Sequence, residues 1–145
     1  MLQVVATVTF IISAEDCSLN RLDLLGSLLQ RFHAQQQACF CLATDVDYAV
    51  FLDDYLWSER FGFLPHSCSA FQPTVCQTYI SSSLSDAASC PHIFNCTGQA
   101  LSTESLDQDQ QIIEWVSQHT DEKKQMRHLF KQYQSQSITP QIARM

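Results

Sequence analysis

Apolar residues along the chain follow two rhythms, short unbroken runs and repeats every three or four positions. Residues 4–12 are rich in β-branched side chains and apolar on both sides, as a central strand covered on both faces would be. Leu22, Leu25, Leu28, Leu29 and Phe32 then recur at helical spacing, which predicts an amphipathic helix over 19–36. Residues 38–43 make a second short apolar run. Thr44 or Asp45 can cap a second helix that ends at Trp57, with Tyr48, Phe51, Leu52, Tyr55 and Leu56 predicted on its inner face. Strand, helix, strand, helix at this spacing is a βαβ pattern and points to a largely parallel sheet.

Beyond Trp57 the signal weakens. Residues 58–66 read as an aromatic-bearing loop ended by Pro65, 75–80 as a strand, and the Ser/Ala-rich stretch 81–89 as a mobile loop. Residues 92–96 fit another strand, 99–111 a polar surface connection, and 112–116 a short apolar strand. A last helix is predicted over 120–134, followed by a loosely ordered tail over 135–145. The length suits one domain, 1–145, with no repeat and no second composition regime.

Charge changes this picture more than composition does. The chain carries a net −7, but 13 of its 15 acids and only 3 of its 8 Lys and Arg fall before residue 119. Most of the surface therefore repels phosphates, and general duplex binding is not expected. In the last helix Lys123, Arg127 and Lys131 stand at i, i+4 and i+8, one basic ridge beside an apolar stripe of Met126, Leu129 or Phe130, and Tyr133. Such a ridge is ordinarily a solvated helix face. On an acidic protein it also suits an acidic peptide that ends in a hydrophobic residue. Trp57, Phe61, Phe63, Leu64 and Pro65 gather aromatic carbon near a helix end, as core or as interface anchors.

Enzymatic readings have little to stand on. The three glycines, Gly26, Gly62 and Gly98, are too scattered for a phosphate loop, which argues against nucleotide hydrolysis, dinucleotide binding and nucleotide sensing. Seven cysteines is an odd number, and a chain able to bury a core does not need disulfides. Cys39 and Cys41 share a face of an apolar run and are expected to pack as small hydrophobes. His66, Cys68, Cys90 and His92 offer a zinc- or thiol-dependent alternative, although neither pair has the usual ligand spacing. No metal or cofactor is expected. The first basic residue is Arg21, and no stretch approaches the ~20 apolar residues of a membrane span, so a cytoplasmic protein is expected.

Several segments, taken in order, resemble the chi subunit of the bacterial DNA polymerase III holoenzyme. They are Phe51-Leu-Asp-Asp-Tyr-Leu-Trp57, Phe63-Leu-Pro-His66, Ile113-Glu-Trp-Val116, and the closing helix with Lys123, Arg127, Phe130-Lys131 and Tyr133. The resemblance implies a Rossmann-like α/β three-layer sandwich with a mostly parallel central sheet and no nucleotide-binding loop. It implies a non-catalytic replication subunit that bridges the clamp loader, through a psi subunit, to the acidic C-terminal tail of single-stranded DNA-binding protein. By matching positions the tail site would be Val116, Lys123, Arg127, Phe130 and Lys131. The psi-facing surface, which in the family also serves a helicase, would include Trp57 and Phe63. The family often has Tyr where this chain has Phe130, and residues 72–89 carry little of its pattern.

Overall fold

A computed structural model describes residues 6–58, 64–71, 77–87 and 90–144. Among these residues seven strands form one sheet: β1 (Thr7–Ile12), β2 (Cys39–Leu42), β3 (Ser67–Cys68), β4 (Thr78–Ser81), β5 (His92–Asn95), β6 (Gln111–Val116) and β7 (Gln141–Arg144). Their order is β3-β4-β2-β5-β6-β1-β7, and every pairing is parallel. Among the described residues three α-helices join them: α1 (Arg21–Ala34), α2 (Val46–Leu56) and α3 (Thr120–Gln134). This is the expected Rossmann-like three-layer arrangement.

Topology decides which face each helix takes. The connections from β1 to β2 and from β2 to β3 step one way across the sheet, whereas β4 to β5, β5 to β6 and β6 to β7 step the other. Because crossovers between parallel strands are right-handed, the two directions place their connections on opposite faces. The packing agrees. Leu24, Leu28 and Leu29 of α1 and Leu52 and Leu56 of α2 bury against Cys39, Cys41, Phe94 and Trp115 on one face. Met126, Leu129 and Tyr133 of α3 cover Val8, Phe10 and Ile112 on the other. Cys39 and Cys41 do pack as small hydrophobes, while Phe40 and Leu42, alternating with them, point to the opposite layer.

Local chemistry sets the helix starts. Asn20 Oδ1 accepts the Asp23 N–H at 2.8 Å to cap α1, and Asp45 Oδ1 accepts the Tyr48 N–H at 2.8 Å to cap α2. Three expectations fail. Phe51 does not line the inner face of α2, which is built from Ala49, Leu52 and Leu56; it is 46% exposed. The stretch after Ser81 is a 3-10 turn, Leu84–Ala87, held by a 2.6 Å bond from Ser81 Oγ to Asp86 and by burial of Ala87. Residues 67 and 68, just past the expected loop, form the two-residue strand β3. The tail is not loose, because Ile138 packs on the α3 core and the chain then adds β7 beside β1. Of the strand expected over 75–80, residues 75 and 76 lie outside the described residues.

Candidate functional site

The sheet presents α3 rigidly because the helix is tied down at both ends. At its start, Ser117 Oγ donates to Glu122 Oε2, and the Arg21 N–H donates to Glu122 Oε1 at 3.3 Å. Toward its end, Tyr133 donates to Glu114 at 2.7 Å and accepts the Leu101 N–H at 3.2 Å. Glu114 lies fully buried in β6 and also accepts from Asn95 at 2.6 Å. Arg21 stands 3.8 Å from its other oxygen, with the guanidinium stacked 4.2 Å over the Trp115 ring. Burial pushes the Glu114 carboxyl up to about 7, against the hydrogen bonds from Tyr133 and Asn95 and the charge of Arg21. Burial and the neighbouring carboxylate raise the Tyr133 phenol well above its usual range.

With Met126, Leu129 and Tyr133 buried, the spacing of α3 turns Lys123, Arg127 and Lys131 outward. Phe130 sits between the two faces, half-buried, with its ring 5.3 Å from that of Phe10. A groove of about 340 Å³ opens beside the helix. Lys123, Met126, Arg127 and Phe130 form one bank, and Phe10 and Ile12 of β1 lie beneath with Val116 at the end of β6. Four of the five residues expected to form a tail site, Val116, Lys123, Arg127 and Phe130, therefore line one hollow. Lys131 does not line it; it is exposed one turn further along the ridge.

The other bank was missed. Ile142 and Arg144 of β7 also line the groove, as do Glu15 and Gln118 at its mouth. The only hint in the sequence was an isolated β-branched Ile142 after Pro140, too short for a periodic signal.

On the opposite face, Trp57 closes the C-terminus of α2 and is 50% exposed. Its ring stacks on His66 at 4.2 Å and 28°. His66 is buried and held by Leu64 O at 2.8 Å from Nδ1 and by Asp53 O at 3.1 Å from Nε2. Along α2, Phe51 stacks with Tyr48 at 5.7 Å and leans on Tyr55 at 6.0 Å; Phe51 is the exposed ring, whereas Tyr48 and Tyr55 are partly buried against the core. Phe63, expected to join Trp57, lies outside the described residues, as does Phe61.

The zinc or thiol alternative requires His66 and Cys68 to meet Cys90 and His92. Strands β4 and β2 separate β3 from β5, a span of about 14 Å at the usual strand spacing. The two pairs are thus held apart, and among the described residues no cluster of three or more His, Cys, Asp or Glu could hold a metal. Burial raises the thiols of Cys39 (to about 12), Cys68 and Cys90; Cys41 is raised by its hydrogen bond with Cys96 and by burial. Such thiols are poor nucleophiles. At pH 8 these four are expected to react with a thiol reagent roughly ten-fold or more slowly in the native protein than in urea, followed by absorbance and mass mapping.

Among the described residues no helix is long and apolar enough to cross a membrane. No curated protein matches the chain. The family described as DNA polymerase III chi subunit, HolC, matches residues 6–141 of the 145, from the first described residue to the start of β7. That stretch includes the groove bank on α3, the Trp57 surface and the sheet between them, and the chain belongs to the chi subunit family, as an accessory subunit of DNA polymerase III associated with its clamp-loader complex.

Proposed function

We propose that this chain is a non-catalytic, cytoplasmic tether that joins the clamp loader to single-stranded DNA-binding protein without touching DNA itself. The groove beside α3 would take the acidic C-terminal tail of single-stranded DNA-binding protein. Lys123 and Arg127, with Lys131 along the ridge, hold its carboxylates, and Phe130 and Val116 border a pocket for its terminal aromatic ring. A psi-like subunit would dock on the α2 side through Trp57 and Phe63, a surface that a helicase can share. The observation that carries this reading is the placement of cations around an apolar hollow on a chain of net charge −7. The rest of the surface turns nucleic acid away.

Each charge-assisted contact is worth ~1.5–3 kcal/mol, and a buried phenylalanine about as much. After ordering costs, a single tail is expected to bind at about micromolar strength and more weakly as salt rises. The test is a fluorescence-anisotropy titration with a labelled acidic peptide ending in Phe, alongside the same peptide lacking that residue. Arg127→Ala is expected to weaken binding roughly 10- to 100-fold. Equal binding by the two peptides, or an unchanged affinity after Arg127→Ala, would remove the tail assignment.

A further inference from the structure

β7 is an odd strand for a parallel sheet. Parallel strands are ordinarily covered on both faces, yet all four residues of β7 are exposed. Its neighbour β1 buries Val8 and Phe10 under α3, but the helix does not extend its cover over β7. In register with Phe10 and Ile12 stand Ile142 and Arg144, on the groove side. Ile142 is 56% exposed, a large apolar side chain at a sheet edge beside a hollow. The family match ends at residue 141, so it assigns these two residues nothing.

We propose that β7 is the second bank of the binding groove. On this assignment, which rests on the function proposed above, the terminal apolar side chain of an acidic peptide is clamped between Phe130 and Ile142. Arg144 takes a ligand carboxylate across the groove from Arg127. The peptide supplies the cover that β7 lacks. Charge complementarity selects this occupant: Lys123, Arg127 and Arg144 outnumber Glu15, the one carboxylate among the described lining residues. A neutral apolar segment would leave three cations facing it without partners. A basic segment would be repelled.

The full chain is titrated with a labelled synthetic acidic peptide ending in Phe, and Arg144→Glu and Ile142→Ser are compared with Lys124→Glu. Lys124 carries the same charge on α3 but does not line the groove. The expected result is a Kd raised about ten-fold or more by each β7 variant, and by less than about three-fold by Lys124→Glu. Arg144 is exposed at the end of its strand, so its replacement leaves the core untouched, and melting temperatures check both variants. If Arg127→Ala weakens binding while both β7 variants bind like the unaltered chain, the second bank is overturned and the α3 site stands. Equal weakening by Arg144→Glu and Lys124→Glu reports only the general field and also overturns it. No binding by the unaltered chain overturns the tail site itself, and the second bank with it.

Discussion

Between pH 4.5 and about 7 the folded chain is expected to lose about 3 kcal/mol of stability through Glu114 alone, and Glu114→Gln is expected to remove that loss. In the unfolded chain this carboxyl ionises near 4.5; in β6 it does so near 7. Over that interval the native state holds a proton that the unfolded state has released, so stability falls as pH rises. The contribution is fully present below 4.5 and is lost once pH passes 7. The interval from 4.5 to about 7, at ~1.36 kcal/mol per pH unit, gives the magnitude. Arg21 at 3.8 Å offsets part of the burial cost, but one carboxylate oxygen has no hydrogen-bond partner among the described residues. Urea unfolding of both proteins at a series of pH values measures the difference, and other titrating groups cancel in it. Parallel curves for the two proteins would refute the assignment. The group concerned receives the Tyr133 hydroxyl and so anchors the helix that carries the groove.

The part of this molecule that was legible in the sequence is the part that repeats. The three helices announce themselves because each must present one apolar stripe to a sheet, and their observed limits fall within two residues of the periodic signal. The basic ridge was legible for the same reason: once Met126, Leu129 and Tyr133 face inward, Lys123, Arg127 and Lys131 cannot. Phe51 misled because an aromatic residue near a helical stripe is usually buried, and here Ala49 occupies the inner position instead. β7 was hidden because an edge strand of four exposed residues needs no apolar alternation; its register is set by β1. Glu114 stood in plain sight in an apolar strand. Its partners Asn95, Tyr133 and Arg21 are distant in sequence, and only the fold brings them together.

Trp57→Ala is expected to weaken binding of a psi-like subunit by ~2–4 kcal/mol, roughly 30-fold to several hundred-fold, while leaving affinity for the acidic peptide unchanged. Trp57 has the features of an interface anchor: half its surface is open, its ring is fixed by stacking on His66, and that histidine is itself held by two backbone carbonyls. A side chain already ordered in the free protein loses little entropy when a partner covers it, so more of its burial appears as affinity. Removing an exposed ring at the C-terminus of α2 costs the fold little, which melting curves would confirm. The reciprocal variant, Arg127→Ala, is expected to impair the peptide and spare the psi-like subunit. The two residues stand on opposite faces of the sheet, on helices that share no core cluster, so their effects should add in the double variant. Pull-down of a psi-like subunit and peptide titration, run on the same four proteins, give the complete comparison. If Trp57→Ala reduces both activities together without lowering the melting temperature, the two surfaces are coupled and a tether of independent ends is the wrong description.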